Sequence, residues 1–342
     1  MSWLAVDIGG ANLKAADGRG WAQIVPFELW KHPAGLRAAL VALIDAAPSS
    51  QRIAATMTGE LCDCFATKAD GVRHIIDALA AASGGREVAI YLVDGRLVSI
   101  EEARESPHLA AASNWHALAR FACRFVSGEA GLLIDIGSTT TDIIPLVDGQ
   151  PRPRGGNDTD RLLAGELVYT GVGRTPICAI TRWLPWRGQT CPVAAELFAT
   201  AADAYMILDC IPEQLDTTAT ADGRPRTKEF AQARLARMIC ADSSEFAALD
   251  AREAAKHVQE VQLAELDRAL RQIIESLGRI PPSVVVSGSG EFLAKCLVER
   301  CLAGSNLVSL GEQMGPAIAA AATAHALAVL ATKSLPLNDA NR

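Results

Sequence analysis

Two apolar runs in the sequence end in the same three residues, and this repeat limits the folds that are open to the chain. The run LAVDIGG carries Asp7, and the run LLIDIGS carries Asp135. An apolar run that ends in Asp and Gly predicts a buried strand with a carboxylate at its end, followed by a tight turn. After the second turn the run DIIPLV predicts a hairpin partner. The sequence therefore predicts two related strand–turn units.

Strand and helix patterns alternate around the first repeat and return near the end of the chain. Examples are the strand pattern RIAATMTG at 52–59, the helix pattern VRHIIDALAAAS at 72–83, and the strand, turn and helix of SVVVSGSGEFLAKCL. Such alternation is typical of α/β layers. Between about 178 and 280 the pattern is almost continuously helical, apart from a polar loop at 216–227. We therefore expect an α/β fold with a mainly helical region in its second half.

The two turns have the composition of phosphate-binding loops. Glycine lets the backbone approach a ligand closely, and amide N–H groups bind phosphate oxygens without net positive charge. Asn12 and Lys14 add side-chain donors to the first turn, four hydroxyl residues follow Gly137 in the second, and a third glycine turn follows the run VVV. The candidate phosphate-binding residues are Gly9, Gly10, Ala11, Asn12, Gly137, Ser138, Thr139, Thr140, Gly288, Ser289 and Gly290.

A carboxylate beside each turn predicts a site for a divalent metal. Mg²⁺ keeps several waters and takes few protein ligands, so a carboxylate next to a bound phosphate is a usual way to hold it. We expect Asp7 and Asp135 to flank a Mg²⁺ bound with a di- or triphosphate. The alternative is that both segments are ordinary turns, in which Asp and Gly serve only the backbone conformation.

The three turns, taken in order, resemble those of a known superfamily. DIGGANLK, DIGSTTTD and VVVSGSGEF are similar to the phosphate 1, phosphate 2 and adenosine motifs of the sugar kinase, heat-shock-protein-70 and actin superfamily. The resemblance implies two ribonuclease-H-like domains facing a cleft, at 1–128 and 129–313, with a helix at about 314–331 returning to the first. The sequence departs from the first motif at Asn12, where the superfamily usually has Thr or Ser.

A narrower resemblance runs over nearly the whole chain. MTGELCDCF, AASNWHALA, GGNDTDRLLAGELVYTGVGRTPICAI and TADGRPRT resemble the hydantoinase/oxoprolinase-related proteins of the tetrahydromethanopterin-linked C1 transfer pathway. This resemblance implies a transferase of methylofuran or methanofuran biosynthesis. Such an enzyme condenses 5-(aminomethyl)-3-furanmethanol diphosphate with the phenol of tyramine or γ-glutamyltyramine, forms an aryl ether and releases diphosphate.

Three charged residues are candidates for that chemistry. Glu60 follows a strand end and a Thr-Gly turn, and is the candidate base for a phenol whose ordinary pKa is about 10. Lys14 and Arg174 are candidates for neutralising the leaving diphosphate. The alternatives are a surface turn carboxylate at Glu60 and a loop salt bridge at Arg174. Asp158 and Asp160 are candidates for a metal or amine contact, or else for a helix cap.

Charge and cysteine content limit the kinds of binding partner and the compartment expected for the chain. The net charge is −7 at pH 7, and no run of Lys or Arg indicates a nucleic-acid or membrane surface. The nine cysteines lack paired zinc-ligand spacing, and the N-terminus lacks a basic leader. Both features favour a cytoplasmic protein with reduced thiols. We expect small-molecule substrates, and a homodimer is compatible with the sequence.

Two rival functions use the same loops. The first is an ATP-dependent small-molecule kinase or a hydantoinase-type amidohydrolase, in which the turn at Gly288–Gly290 holds adenosine. The second is a nucleotide-regulated binding protein without turnover. Binding of ATP or ADP separates these rivals from a synthase that consumes a diphosphate substrate.

Overall fold

The computed structural model describes residues 2–333. Residue contacts divide it into two compact units. Unit 1 holds the described residues up to 133, those at 144–158 and those from 308 onward, and unit 2 holds 134–143 and 159–307. The C-terminal tail, whose sequence predicts fraying, lies outside the described residues. The predicted division into ribonuclease-H-like domains at 1–128 and 129–313 stays a prediction.

Strands and helices alternate along the chain. The strands are β1 (Trp3–Ile8), β2 (Asn12–Ala16), β3 (Ala22–Pro26), β4 (Arg52–Met57), β5 (Glu87–Tyr91), β6 (Leu97–Val98), β7 (Ala130–Ile136), β8 (Thr141–Val147), β9 (Gln150–Pro151), β10 (Leu167–Val168), β11 (Trp183–Trp186), β12 (Gln189–Pro192), β13 (Ser283–Ser287) and β14 (Asn306–Ser309). The helices are α1 (Leu36–Asp45), α2 (Lys68–Ala82), α3 (Ile100–Glu105), α4 (Pro107–Ala110), α5 (Asn114–Ala122), α6 (Asp158–Ala164), α7 (Ile177–Ile180), α8 (Ala201–Ile207), α9 (Lys228–Arg237), α10 (Ala248–Leu277), α11 (Glu291–Cys301), α12 (Leu310–Met314), α13 (Pro316–Ala319) and α14 (Ala322–Lys333).

The two large sheets share one strand order. The first runs β3-β2-β1-β4-β5-β6, and the second runs β10-β8-β7-β13-β14, with β9 paired to β8 outside this path. Numbered within its own sheet, each core is ordered 3-2-1-4-5. In the first sheet β1 pairs antiparallel with β2 and parallel with β4, so the step from β1 to β4 needs a crossover connection, which α1 supplies. This is the order of a ribonuclease-H-like sheet, and the predicted α/β fold is confirmed.

Strand β1 is buried along its whole length, and its two faces pack against different helices. Side chains alternate along a strand, so Leu4, Val6 and Ile8 join the core that α1 and α2 cover. Trp3 and Ala5 join a second core with the alanine-rich helix α14. The Ala-rich segment near the C-terminus is thus a packing helix, preceded by the short helix α13. Within residues 2–333, no helix combines the length and the apolar character needed to span a bilayer.

The prediction of almost continuous helix from 178 to 280 is wrong between α7 and α8. There β11 and β12 form a two-stranded hairpin. Its turn residues Arg187 and Gly188 have φ angles of 51° and 73°, the left-handed pair that tight hairpins require. Pro185 and Pro192 lack the amide hydrogen that a helix interior needs. Helices α8, α9 and α10 supply the helical character that was predicted, and α10 ends at Leu277, capped by Gly278.

Candidate functional site

The first turn, residues 9–12, directs two neighbouring amides to one side, and we call it the first loop. Gly9 N–H donates to the Asn12 carbonyl at 3.0 Å and closes the turn. The carbonyls of Gly10 and Ala11 accept from Leu29 N–H at 2.9 Å and Phe27 N–H at 3.0 Å. In a trans peptide the carbonyl and the next N–H point in opposite directions. The amides of Ala11 and Asn12 therefore point away from the 27–29 segment.

The second turn, residues 137–140, is built in the same way, and we call it the second loop. Gly137 N–H donates to the Thr140 carbonyl at 2.8 Å. The Gly137 carbonyl accepts from Val172 N–H at 3.0 Å, and the Ser138 carbonyl accepts from the N–H groups of Gly173 and Arg174 at 3.0 and 2.8 Å. By the same peptide geometry, the amides of Ser138 and Thr139 point away from residues 171–175, which we call the strap.

Each loop thus presents two successive N–H groups on the side opposite to its supporting segment. Successive amides of this kind form an anion-binding concavity. The structure changes the set of amides predicted to bind phosphate in one respect. The N–H groups of Gly9 and Gly137 close the turns, so they are not free for a phosphate. The sequence pattern placed the loops, but it did not identify which amides face outward.

The third glycine turn lies against the second loop. Gly290 N–H donates to the Ile136 carbonyl at 2.8 Å. A Cβ placed on Gly288 would lie 2.7 Å from Asp135 Oδ1 and 2.3 Å from the Ile136 carbonyl oxygen, and the φ of Gly288 is +91°. The structure therefore brings Gly288 to Asp135 and Gly290 to Ile136, while Ser289 between them is exposed.

The first loop has a matching neighbour at the end of β4. The N–H groups of Thr58 and Gly59 both donate to the Ile8 carbonyl, at 3.0 and 3.1 Å. A Cβ on Gly59 would meet the Gly9 carbonyl group at 3.3 Å. Both sheets therefore share one contact. The N–H of a glycine that follows the fourth strand of the sheet, Gly59 or Gly290, donates to the carbonyl of the residue before the loop, Ile8 or Ile136. Glu60 follows that glycine directly.

Glu60 is buried, with 1% of its surface exposed. The predicted alternative of a surface turn carboxylate is therefore wrong. Burial raises the pKa of Glu60 to about 7, and the nearby charge of Asp158 adds to the rise. Its Oε2 atom has no hydrogen-bond partner among residues 2–333. A buried carboxyl that titrates near neutrality can exchange a proton with a ligand.

Asp7 has one fixed oxygen and one open oxygen. The residue is 2% exposed. Its Oδ2 accepts a hydrogen bond from the Thr323 hydroxyl at 2.5 Å and lies 3.6 Å from Lys14 Nζ. Its Oδ1 is buried without a hydrogen-bond partner in the described part of the chain. A buried carboxylate oxygen without a partner is costly unless a ligand meets it, so this donor suits a hydrated Mg²⁺. No sequence pattern singled out Thr323.

Asp135, the second predicted metal ligand, is half-buried at the end of β7. Among residues 2–333 there is no cluster of three or more His, Cys, Asp or Glu side chains suited to a metal. Protein ligation of a metal would therefore come from few carboxylates, as Mg²⁺ accepts. The predicted pairing of Asp7 with Asp135 around one ion stays a prediction.

The strap is braced by a buried polar network. Gln262 is fully buried on α10. Its side-chain amide donates to the Thr170 hydroxyl at 2.8 Å and to the Gly171 carbonyl at 2.9 Å, and its oxygen accepts from the Tyr205 hydroxyl at 2.6 Å. Thr175 bonds Gly171 N–H at 2.9 Å. The network fixes the backbone that in turn fixes the second loop.

Helix α8 braces the other end of the strap. Ala201 N–H donates to the Thr175 carbonyl at 2.8 Å. The first turn of α8 carries Asp203, which binds the buried guanidinium of Arg234 at 2.7 Å. Arg234 also binds Asp222 at 3.0 Å, in the TADGRPRT segment. This segment therefore has a structural connection to the strap, which the sequence did not reveal.

The remaining candidates are spread more widely. Arg174 is exposed on the strap. Asp158 lies 3.9 Å from Lys68 Nζ at the start of α6, and Asp160 is exposed on the same helix. His116, in the AASNWHALA segment, forms a hydrogen bond of 2.9 Å between its Nδ1 and the Tyr91 hydroxyl. The nine cysteines are free thiols.

Replacing Gly171 with Ala is expected to disrupt the second loop. The new Cβ would lie 2.6 Å from the backbone of 137–139, where no flexible side chain can move aside. We expect a loss of about 2–4 kcal/mol in the free energy of unfolding, measured by urea denaturation, because overpacking against backbone forces a shift. Gly304→Ala is the control, since a Cβ there meets nothing within 4 Å. Equal stability of both variants would refute the close packing.

The chain resembles a known protein family and two named synthases in sequence. The sequence model of the hydantoinase/oxoprolinase family matches residues 52–333. The (4-{4-[2-(gamma-L-glutamylamino)ethyl]phenoxymethyl}furan-2-yl)methanamine synthase of Methanocaldococcus jannaschii is 33% identical over 342 residues, covering 97% of this chain and 98% of that protein. The protein of the same name from Methanococcus vannielii is 28% identical over 206 residues, covering 60% of this chain and 91% of that protein.

Among solved structures, nucleotide-free acetone carboxylase is similar with a TM-score of 0.48 and 14% identity, covering 93% of this chain and 51% of that one. The family match extends over most of the chain, from β4 to the end of α14. It agrees with the end-to-end likeness to the Methanocaldococcus jannaschii synthase. The chain belongs to the hydantoinase/oxoprolinase family.

Proposed function

We propose that this protein is a transferase that makes an aryl ether for a methanofuran-type cofactor. The phenol oxygen of tyramine or γ-glutamyltyramine attacks the methylene carbon of 5-(aminomethyl)-3-furanmethanol diphosphate. The new carbon–oxygen bond forms as the bond to diphosphate breaks, and the phenol proton passes to a base. The observation that carries the proposal is the 33% identity, over 97% of the chain, to a synthase whose name describes such a phenoxymethyl-furan product.

The two loops support a diphosphate as the leaving group. The outward amides of Ala11 and Asn12 in the first loop, and of Ser138 and Thr139 in the second, are fixed by the backbone bonds described above. Preorganised donors stabilise charge that develops during a reaction without reorganising at that moment. Lys14 and Arg174 add positive charge close to these loops in the sequence. Bound Mg²⁺, held by Asp7 and Asp135, would supply further neutralisation of the leaving diphosphate.

Glu60 is the proposed base. A phenol has a pKa of about 10, so it needs help to lose its proton at neutral pH. Burial and the charge of Asp158 raise the pKa of Glu60 to about 7, which places it near the optimum for proton transfer at physiological pH. Its unpartnered Oε2 is the atom available to receive the proton. The proposed location is the cytoplasm, and the proposed acceptor is either tyramine or its γ-glutamyl form.

A direct assay tests the proposal. The purified protein is incubated with Mg²⁺, the furanmethanol diphosphate and γ-glutamyltyramine, without ATP, and the ether is detected by mass spectrometry. We expect one diphosphate released for each ether formed. An ether or phosphorylated product that forms only with ATP, with matching ADP, would support the kinase instead. Tight ADP binding without any turnover would support a nucleotide-regulated binding protein.

Asp135→Asn tests the metal function within that assay. Removing the carboxylate charge should lower kcat by about a hundredfold and flatten the dependence of rate on Mg²⁺ concentration. Asp148→Asn is the matched control, because Asp148 is exposed in the turn between β8 and β9. Unchanged kcat in Asp135→Asn would remove Asp135 from the metal site.

A further inference from the structure

Asp7 belongs to a polar row that crosses the first sheet. In register it is paired with Lys14 on β2 and with Thr56 on β4. Residues that are directly opposite in neighbouring strands point to the same face of a sheet. The same face of β1 carries Trp3 and Ala5, which pack in the apolar core under α14. The Asp7 carboxylate is 2% exposed and lies where this polar row meets the apolar core, so polar partners must satisfy and orient it.

Helix α14 supplies one of those partners. Thr323, 6% exposed in the first turn of α14, donates its hydroxyl hydrogen to Asp7 Oδ2. Lys14 Nζ approaches the same oxygen at 3.6 Å. Both contacts fall on Oδ2, and Oδ1 has no hydrogen-bond partner within the described residues. The carboxylate is therefore turned so that its second oxygen is left for something else.

Small residues make this contact reachable. Helix α14 packs closely on the sheet because its inward positions are mostly alanine, including Ala324, Ala328 and Ala331. At Gly18, just after β2, an added Cβ would lie 3.1 Å from the Ala328 Cβ. A threonine hydroxyl is short, so it reaches a strand only where the helix backbone comes this near. The alanines of α14 thus bring the helix close enough to β1 for the Thr323 hydroxyl to reach Asp7.

We infer that Thr323 is a positioning residue, whose hydroxyl holds Asp7 Oδ2 so that Oδ1 is presented to a divalent cation. This inference rests on the proposed Mg²⁺-diphosphate function. Partners that orient metal-binding carboxylates contribute strongly to metal affinity, and their loss typically costs about 10–100-fold. Thr323 itself touches neither substrate nor metal.

The test measures metal binding without turnover. Mn²⁺ is titrated into the full-length protein in the presence of inorganic diphosphate, and free Mn²⁺ is followed by electron paramagnetic resonance. We expect Thr323→Val to weaken Mn²⁺ binding by about tenfold or more and Thr323→Ser to retain wild-type affinity. Thr332→Val is the matched control on the same helix, because the Thr332 hydroxyl donates to the Ala328 carbonyl of that helix at 2.8 Å.

Each outcome is decisive for the inference. Wild-type affinity in Thr323→Val, or an equal loss in Thr323→Ser, would overturn it, as would a wild-type protein that binds no Mn²⁺ under these conditions. If the valine variant does not fold, Thr323→Ala against Thr323→Ser makes the same comparison, because Ala is favoured in helices. Ether formation by the wild type is measured separately, so loss of the proposed function and loss of this inference give different results.

Discussion

Glu60→Gln is expected to reduce kcat about a hundredfold or more and to remove the acid limb of the pH–rate profile. General-base catalysis typically contributes about 10²–10⁴-fold, and glutamine cannot accept the phenol proton. In the wild type the carboxyl is protonated below its pKa of about 7 and ionised above it. Activity should therefore rise with pH through neutrality in the wild type. In the variant the residual rate should show no inflection there.

The same substitution should lower activity but raise the free energy of unfolding at high pH. Burial raises the pKa of Glu60 from 4.5 when unfolded to about 7 when folded, so the folded state holds the proton more tightly. The stability that this protonation contributes is complete below pH 4.5 and is lost as the pH rises through 7. Above pH 8, Glu60→Gln should therefore be more stable than the wild type, by an amount on the order of 3 kcal/mol at most.

Urea denaturation at pH 5 and pH 8.5, with steady-state rates across the same range, measures both effects. Glu102→Gln is the control, because Glu102 is an exposed carboxylate that binds Arg96. A gain of stability without loss of activity would show that Glu60 is a buried structural carboxyl. Loss of activity with an unchanged pH profile would assign the proton to another group.

Lys14→Ala should reduce diphosphate release about a hundredfold, mainly through kcat. If the ammonium group neutralises the leaving diphosphate, its contact strengthens as the carbon–oxygen bond breaks, so its loss raises the barrier rather than KM. A charge contact of about 3 kcal/mol corresponds to this factor. The Lys14 side chain is 30% exposed and lies 3.6 Å from Asp7 Oδ2, so it is held near the first loop.

Arg174→Ala should have the same signature if Arg174 also binds the leaving group. Lys14→Arg and Arg174→Lys keep the charge and should recover part of the rate. Diphosphate and ADP are measured side by side with and without ATP. An effect on KM alone would place either residue in ground-state binding. ADP formed in proportion to product would replace the synthase with the kinase.

Local patterns were sufficient for the repeated turns. An apolar run before Asp-Ile-Gly leaves few alternatives to a strand and a turn, and the closing bonds from Gly9 and Gly137 follow that pattern. The buried state of Glu60 could not be read from its neighbours, because the preceding Thr-Gly predicts an exposed turn equally well. It depends on α2, where a Cβ at Gly71 would lie 2.3 Å from the Glu60 carbonyl oxygen.

Long-range contacts account for what the sequence did not predict. Gln262 and Gly171 lie 91 residues apart, and Thr323 and Asp7 lie 316 apart. No periodicity or motif connects such positions, since their contact is set by how elements pack. The hairpin at β11–β12 was missed for another reason, because the alanine-rich sequence after it favoured helix and outweighed its turn and proline signals.

The contact between Asp7 and Thr323 joins two segments that are synthesised far apart in time, because 316 residues separate them. Unit 1 contains β1 and also residues from 308 onward, and α14 covers one face of β1. Its N-terminal sheet must therefore wait, with the α14 side of β1 uncovered, while all of unit 2 is translated. A nascent chain folds its N-terminal parts first. We therefore expect the risk of aggregation to be greatest while this apolar face is exposed. A chain that stops before Thr323 would lack the hydroxyl that bonds Asp7 Oδ2 and, if Thr323 positions Asp7 as inferred above, would bind the metal ion more weakly.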